Sequence, residues 1–433
     1  MADRGSMPGA PREVKLGYLH VGAVEHGICR YGRLLAAEAR RQPNVRVLER
    51  SIVLTDRPAR NARIVRDAAE ALSAADLIHI QISTAGDATW GRDLRAVVNL
   101  SLFRRFSGKP LAATLHDATT VAALGIDGVG PLVRPVTVET LKGPMRPMVR
   151  LARQVAARRI DLGRLWRPIW DFRHVSPYVV ARWAARRAHG LFVLTRKERD
   201  ALTALRRDGR LVLIPHFVEQ APAPVSPMIR PGRTRTVALA GFIFASKGHH
   251  LLIDAMPFMP DVKVVFVGGA GFGRSGPGQY RALLEQAQRR GVRGRLEVTG
   301  YLDDAAYGAA LRQADLAVCP FEDNKAASGS LSSLIALDCP ILASDTPLIA
   351  EYNALSAGAI ATFSPFTPRA LAARIRELLD TPREQLTRGL GELRERLSIA
   401  RIAAQHIETY RRLLDDRSDP GASPGVARRM EPA

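Results

Sequence analysis

The sequence has few cysteines, few lysines and no long hydrophobic run, and each shortage excludes a class of protein. The three cysteines, Cys29, Cys319 and Cys339, are odd in number and lack metal-ligand spacing, so we expect reduced thiols in a cytoplasmic protein. No apolar run approaches the roughly 18 residues that span a bilayer, and the first residues have no apolar core typical of a secretory signal. With 433 residues, 46% hydrophobic and 24% charged, the chain is expected to form two ordinary globular domains.

The basic residues are almost all arginine. Lysine accounts for only seven of the 63 basic residues, and the formal net charge is +21. This charge is compatible with nucleic acid, an anionic membrane face or phosphorylated substrates as partners, and it does not choose between them. In such a background, a lysine inside a glycine loop is more informative than usual.

Apolar strands alternate with helices in both halves of the chain. The predicted strands are 14–20, 45–54, 75–81, 110–116, 190–195 and 211–216, then 236–241, 262–268, 296–300, 315–320, 339–344 and 359–362. The predicted helices are 28–41, 68–74, 248–257, 278–290, 304–313, 328–337, 368–380 and 399–414. This alternation predicts an α/β protein with two Rossmann-like, doubly wound domains, each a parallel sheet covered on both faces.

A proline-rich linker separates the two halves, and it contains Pro222, Pro224, Pro227 and Pro231. We therefore place a domain boundary near 225–234. The expected organisation is a disordered tail over 1–12, a first domain over 13–228, a second over 229–398, a crossing helix over 399–416 and a disordered tail over 417–433.

A basic excursion interrupts the first half at 141–190. It holds twelve arginines and lysines against only Asp161 and Asp171, with Trp166, Trp170, Tyr178 and Trp183 interleaved. Basic helices with aromatic residues suit an anionic membrane surface or a phosphorylated acceptor. The alternative is a solvated helical excursion whose tryptophans pack inward.

The stretch 237–256, VALAGFIFASKGHHLLIDAM, reads as a strand, a glycine turn, a loop with Lys247 and a helix. A helix N-terminus offers free backbone N–H groups and the positive end of the helix dipole, which together favour an anion such as phosphate. Lys247 adds a full charge at that point. The alternative is an ordinary βα turn, and His249 and His250 are expected at the surface.

Five segments form an ordered set of motifs: LVLIPHFVE (211–219, similar to IPNGVD), AGFIFASKGHHLLIDA (240–255, similar to GRxxxxKGxxxLLxA), VVFVGGAG (264–271), VTGYLDDAAYGAALRQADLAVCP (298–320) and GSLSSLIALDCPILASD (329–345). In order and spacing they resemble glycosyltransferase family 4, the glycosyl transferases group 1. The first half is similar mainly through its strand order, the 22–27 glycine loop and TLHD (114–117).

The resemblance implies a GT-B fold with two Rossmann-like domains facing a cleft. It implies a retaining, hexosyltransferase-like enzyme that moves a sugar from a nucleoside diphosphate sugar to the hydroxyl of a glycan, lipid-linked glycan or small metabolite. The catalytic candidates are His116, Asp117 and Lys247. The donor-binding candidates are Gly22, Gly27, Gly241, Lys247, Gly248, Gly300, Tyr301, Lys325, Ser328, Gly329 and Ser330.

Histidines near strand ends are the main candidates for hydrogen bonds to sugar hydroxyls. By resemblance, His116 lines the donor sugar, and the alternative is a histidine satisfied by a neighbouring backbone carbonyl. His20, His26 and His79 are weaker candidates near strand ends on the cleft side. Tyr301 would contact the nucleobase, with plain filler as the alternative.

The sequence departs from the family pattern at three positions. Phe242 stands where an arginine is usual, and Lys325 and Ser333 stand where two glutamates are expected, which puts the donor in doubt. The chain has no DxD motif, and a metal would need clustered carboxylates. We therefore expect metal-independent transfer with no cofactor besides the nucleotide sugar.

Two other functions stay open. One is a different GT-B enzyme such as a sugar-nucleotide epimerase, and the other is a basic binder of nucleic acid or a membrane surface on a degenerate scaffold. We expect a cytoplasmic enzyme without a nucleic-acid partner, in peripheral contact with the inner face of the membrane through 141–190.

Overall fold

The protein, as a computed structural model, is described at residues 13–23, 27–83, 89–91, 94–116, 176–203, 205–206, 208–220, 234–270, 276–322 and 327–418. The chain forms two compact units. Within the described residues, the first unit runs to Val193 and adds Arg199–Ile214 and the chain from Ala403 onward. The second unit comprises Leu194–Glu198 and Pro215–Ile402.

The first unit is built on a six-stranded parallel sheet. Its strands are β1 (Val14–Val21), β2 (Val45–Ile52), β3 (Leu77–Ser83), β4 (Leu111–His116), β5 (Gly190–Val193) and β6 (Leu211–Leu213). They lie in the order β2-β1-β3-β4-β5-β6, so the strand order reverses between β1 and β3. Ligands of open α/β sheets bind outside the carboxyl ends of the strands at such a reversal.

The helices of the first unit begin and end between these strands. They are α1 (Gly27–Ala39), α2 (Pro58–Ala71), α3 (Leu94–Ser107), α4 (Ser176–Arg187) and α5 (Arg196–Thr203), whose first three residues belong to the second unit. Their apolar faces and the sheet form one core that includes Ile80, Leu100, Phe103 and Trp183. The indole Nε1 of Trp183 donates to Ser101 Oγ at 2.9 Å, so this tryptophan of the basic excursion packs inward.

The second unit has its own six-stranded parallel sheet. Its strands are β7 (Arg235–Ala240), β8 (Val262–Val267), β9 (Leu296–Val298), β10 (Leu316–Cys319), β11 (Ile341–Ser344) and β12 (Ala361–Phe363). The order β12-β11-β10-β7-β8-β9 reverses between β7 and β10. The prediction of an α/β protein with two Rossmann-like, doubly wound domains is confirmed.

Two separate cores cover the two faces of this second sheet. The covering helices are α6 (His249–Ala255), α7 (Gly276–Arg289), α8 (Asp304–Arg312), α9 (Gly329–Ala336), α10 (Pro347–Leu355), α11 (Pro368–Leu379), α12 (Arg383–Leu386) and α13 (Leu390–Arg396). A final helix, α14 (Ile399–Ser418), continues from the second unit into the first. Most of these helices bury an apolar face, because the strands beneath them are apolar on both sides.

Some predicted elements were wrong in extent or were missed. The helix predicted over 68–74 is α2 and begins ten residues earlier at Pro58, because proline is favoured in the first turn of a helix and Asn61, Val65 and Ala68 give it a buried face. Helix α10 was missed, although Thr346 caps it and Pro347 opens it. The short helices α12 and α13 were missed as well.

His249 and His79 lie elsewhere than predicted, whereas His20 lies near a strand end as predicted but is buried. His249 is 1% exposed rather than at the surface, and its ring packs edge-on against Phe266. His79 lies in the middle of β3, where it bonds Tyr410 and Thr114. His20 is buried near the end of β1, with Nε2 3.0 Å from Glu49. In each case the sheet or helix packs the ring into the core, which sequence spacing alone does not show.

Candidate functional site

Lys247 lies in a short 3₁₀ turn between β7 and α6, and its side chain is held inside the second unit. Its Nζ donates to the backbone oxygen of Ala240 at 3.2 Å and to Ser330 Oγ at 3.1 Å, and the residue is only 7% exposed. Ser330 lies in the first turn of α9. The ammonium is therefore fixed beside the N-terminal end of that helix, where the helix dipole is also positive.

Two glycines make this arrangement possible. Gly241 follows β7 with a φ of 95°, and a Cβ there would collide with Lys247 Nζ. Gly248 has a φ of 72°, and a Cβ there would collide with the backbone oxygen of Pro320. Only glycine adopts such angles at little cost. Both candidate glycines are thus required by local geometry at the point where β7 and β10 end.

The N-terminus of α9 is formed by serines. Ser328 is the N-cap residue, and its Oγ accepts from the backbone N–H of Leu331 at 3.4 Å and lies 3.0 Å from Ser330 Oγ. Gly329 follows as the first helical residue. Ser333, which stands where a glutamate was expected, donates to the backbone oxygen of Gly329 at 3.0 Å. The helix end is therefore lined by small hydroxyl side chains rather than by carboxylates.

Gly300 and Tyr301 follow β9, next to the turn after β8. The amide of Gly300 donates to the backbone oxygen of Gly268 at 3.1 Å. The ring of Tyr301 is 66% exposed and lies nearly parallel to Phe242, with 6.4 Å between ring centroids and 16° between planes. Phe242, which stands where an arginine was expected, therefore stacks on Tyr301.

His216 lies beside the N-terminal end of α9 and was not among the residues that the sequence analysis predicted for the site. Its Nδ1 lies 2.8 Å from the backbone oxygen of Phe217 and 3.0 Å from Ser332 Oγ of α9. A Cβ placed on Gly329 would lie 4.0 Å from its Nε2. The signal was available in the sequence, because His216 replaces the asparagine of the IPNGVD segment.

In the first unit, Gly22 follows β1 at the point where the strand order reverses. Its φ is 123°, and a Cβ there would lie 3.1 Å from Cys29 Sγ and 3.2 Å from Thr89 Cγ2. Gly27 opens α1 with open space at its Cβ position. Burial raises the pKa of the Cys29 thiol to about 11, so Cys29 supplies no reactive thiolate beside Gly22.

His116 ends β4, and side chains of neighbouring elements hold its ring. Its Nε2 lies 2.8 Å from Gln81 Oε1, and the ring of Tyr31 packs edge-on against it with 5.1 Å between centroids. His116 is 7% exposed and Gln81 is 4% exposed. The imidazole is therefore fixed in orientation by a neighbour from β3.

The candidate residues thus fall into two groups. Lys247, Gly241, Gly248, Gly300, Tyr301 and Ser328 to Ser330 lie in the second unit, and Gly22, Gly27 and His116 lie in the first. Asp117, Lys325, His26 and residues 141–175 are outside the described residues. Across the described part of the chain, no three His, Cys, Asp or Glu side chains come together as metal ligands. No helix within those residues is long and apolar enough to cross a membrane.

The second unit matches a known family. Residues 229–400 match the model of glycosyl transferases group 1. These residues, which make up most of the second unit, are thus similar to a group 1 glycosyltransferase domain. The sequence-based prediction of a glycosyltransferase is therefore confirmed. A comparison with curated proteins gave no match.

Solved structures similar to this glycosyltransferase cover nearly all of it. Anabaena HepE, in complex with UDP and glucose, is 17% identical with a TM-score of 0.62, over 92% of this chain and 100% of that one. Sucrose-phosphate synthase from Thermosynechococcus elongatus is 18% identical with a TM-score of 0.64, over 93% and 99%. A UDP-forming trehalose-phosphate synthase from Burkholderia vietnamiensis is 13% identical with a TM-score of 0.56, over 95% and 100%. These similarities confirm the GT-B fold.

Proposed function

We propose that this glycosyltransferase transfers a sugar from UDP-sugar to a hydroxyl acceptor, with retention of anomeric configuration and without a metal ion. The acceptor class stays as broad as a glycan, a lipid-linked glycan or a small metabolite. UDP as the nucleotide is supported by the UDP in the complex of Anabaena HepE. The uridine nucleotide is the part of the proposal that the sequence alone did not name.

One observation carries the proposal: Lys247 is held at the N-terminus of α9 by Ser330 and Ala240. Breaking a sugar–phosphate bond places negative charge on the departing diphosphate. Preorganised positive groups stabilise such charge without having to reorganise during the reaction. The backbone N–H groups in the first turn of α9 and the fixed ammonium of Lys247 supply this stabilisation, so UDP is a suitable leaving group at this site.

Retention rests on the family resemblance and assigns the proton transfer to the leaving phosphate. In this mechanism the acceptor hydroxyl attacks from the face that UDP leaves, and a phosphate oxygen of UDP takes the hydroxyl proton. The bond between the anomeric carbon and the phosphate oxygen breaks while the new glycosidic bond forms. His116, fixed by Gln81, hydrogen-bonds a hydroxyl of a bound sugar and orients it.

The experiment is thermal-shift screening of the protein with UDP, GDP, TDP and ADP. A ligand that binds only the folded state at about 100 times its Kd stabilises the protein by about 2.7 kcal/mol. We expect the largest shift with UDP. If none of the four nucleotides raises the Tm, the donor site as proposed is wrong.

Two further measurements test the finer parts of the proposal. NMR of the product made from an α-linked UDP-sugar should show an α-linkage, and a β-linkage would rule out retention. Transfer should continue in excess EDTA, and loss of activity that Mg²⁺ or Mn²⁺ restores would rule out metal independence.

Peripheral membrane contact is proposed for residues 141–175, which carry nine of the twelve basic residues of the excursion together with Trp166 and Trp170. Trp183 cannot take part because it lies in the core of the first unit. Cosedimentation with vesicles containing anionic phospholipid should fall when these basic residues are neutralised. Equal binding to neutral vesicles would contradict an electrostatic contact.

A further inference from the structure

Gln81 is a buried amide in β3, one of the two strands between which the order of the first sheet reverses. It lies in β3, next to β1, and is 4% exposed. The indole Nε1 of Trp90 donates to its backbone oxygen at 2.9 Å, and Asn99 in turn donates to the backbone oxygen of Trp90 at 2.8 Å. The backbone beneath this side chain is therefore tied to the neighbouring segment.

The two ends of the Gln81 amide are used differently. Oε1 lies 2.8 Å from His116 Nε2, which donates to it. Nε2 is buried and has no hydrogen-bond partner among the described residues. A buried amide N–H without a partner destabilises the folded protein. Buried polar groups in folded proteins are almost always paired, so this nitrogen points to a group that arrives with a ligand.

The side chain of Gln81 packs against α1. Gly32 of α1 faces it, and a Cβ on Gly32 would lie 3.1 Å from Gln81 Cγ and 2.8 Å from His20 Nδ1. Thr89, whose Oγ1 is also buried without a partner among the described residues, lies against Gly22. Two unsatisfied polar atoms therefore border the strand ends that carry Gly22 and His116.

We propose that the amide nitrogen of Gln81 binds a hydroxyl of a sugar substrate. This rests on the proposed function, because a sugar is the hydroxyl-rich molecule that the reaction brings to the first unit. A hydroxyl accepts from the amide N–H, while the amide oxygen keeps His116 in place. Gln81 is thereby a specificity-determining residue: a substrate lacking that hydroxyl leaves a buried N–H unpaired and is rejected.

The test combines changes in the side chain of Gln81 with removal of single hydroxyl groups from the substrate. Binding of UDP-glucose and of its 2-, 3-, 4- and 6-deoxy analogues is measured by calorimetry for the wild type, Gln81→Met and Gln81→Glu. The wild type should bind one analogue about tenfold more weakly than UDP-glucose, which is the worth of one hydrogen bond of about 1.4 kcal/mol. Both variants lack the N–H donor and should lose this discrimination at the same hydroxyl only.

Gln81→Glu separates binding from positioning, because it keeps an oxygen for His116. Suppose that Gln81→Glu still distinguishes UDP-glucose from the deoxy analogue and Gln81→Met does not. Only the contact with His116 would then matter, and the proposal would be overturned. An equal loss for every analogue would overturn it too. If the wild type binds all deoxy analogues of UDP-glucose equally well, the same measurements are made with deoxy forms of the acceptor. Equal binding of every analogue in both series would refute the proposed role of Gln81.

Gln286→Met is the matched control. Gln286 Nε2 donates to the backbone oxygen of His250 at 3.0 Å and to Asp254 Oδ1 at 2.9 Å, so its amide is used within the protein. This variant should lower the Tm and leave the discrimination between analogues unchanged.

Failure of the nucleotide-sugar proposal has its own signature, which is a wild type that binds neither UDP nor UDP-glucose. Gln81 is then tested by itself with free glucose in a thermal-shift assay. Stabilisation of the wild type that both Gln81 variants lack supports the hydroxyl site, and equal behaviour of all three proteins overturns it.

Discussion

The two units treat their buried polar groups in opposite ways. In the second unit, the ammonium of Lys247 is satisfied by Ala240 and Ser330. In the first unit, Gln81 is satisfied at its oxygen and unsatisfied at its nitrogen. The difference matches the ligands that we propose. A diphosphate needs fixed positive charge, whereas a hydroxyl needs a donor or acceptor that nothing else has taken.

Both arrangements follow from topology. Each sheet reverses its strand order once, between β1 and β3 in the first unit and between β7 and β10 in the second. Gly22 and Gly241 follow the strands β1 and β7 at those points. The same architecture thus produces two ligand-facing edges, and the side chains decide whether an edge suits charge or hydroxyl groups.

The largest expected effect comes from removing the fixed charge. Lys247→Ala should lower kcat/KM by about 100- to 1,000-fold, the range seen when one transition-state donor is removed, while circular dichroism shows an unchanged fold. Lys263→Ala is the control, since Lys263 pairs at the surface with Glu297 at 2.6 Å and such pairs contribute little. Normal turnover by the Lys247 variant would refute the proposed stabilisation of the leaving group.

The next effect tests whether Lys247 must be held in place. Gly241→Ala adds a Cβ that collides with Lys247 Nζ at a backbone φ of 95°. We expect a loss of about 1–3 kcal/mol in stability from strain and a fall in transfer of at least about tenfold because the ammonium leaves Ser330. Gly294→Ala, at a position with open space around it, should change neither quantity. Full activity in the Gly241 variant would show that the lysine tolerates displacement.

The sequence predicted the second unit better than the first because its strands alternate regularly with glycine turns. It predicted Lys247 and the serines of α9 as one site, but not the bond between Lys247 and Ser330, since 83 residues separate them. Gln81 escaped notice because IHIQIS reads as an ordinary strand in which apolar and polar residues alternate. Its role depends on His116 from the neighbouring strand, and only the register of β3 with β4 brings them together.

His249 is an exception to this contrast, because it is a buried side chain of the second unit with little compensation for its burial. Its ring nitrogens have no hydrogen-bond partner of good geometry among the described residues, and the backbone of Phe244 has only a smaller, opposing effect on its pKa. Burial, with a smaller contribution from Lys247, lowers the pKa of His249 from 6.5 to about 3. Since the unfolded chain takes up this proton near pH 6.5 and the folded chain only near pH 3, stability is lost as the pH falls through that window.

His249→Phe should therefore reduce the pH dependence of unfolding. The contribution of His249 is at most about 1.4 kcal/mol per pH unit. Urea unfolding at about pH 7.5 and about pH 5 would measure it, and the difference between the two values should shrink in the variant. An unchanged difference would mean that the folded protein accommodates the charged imidazole.

The smallest expected effect concerns neither charge nor hydroxyl groups. Tyr301 is 66% exposed and parallel to Phe242, so its ring is available to a planar base. Stacking of a base on an aromatic side chain is worth roughly 1–3 kcal/mol, and at the low end Tyr301→Ala weakens UDP binding by about 5- to 10-fold.

Tyr301→Phe separates the ring from the hydroxyl of this residue. It should bind UDP as the wild type does, and neither variant should shift the Tm in the absence of nucleotide, because so little of the side chain is buried. Equal affinities of the Ala variant and the wild type would remove Tyr301 from the nucleotide site. Equal weakening of UDP binding in the Phe and Ala variants would assign the contact to the hydroxyl of Tyr301. The second unit would then recognise its ligand partly through a hydrogen bond, as we propose for Gln81 in the first unit.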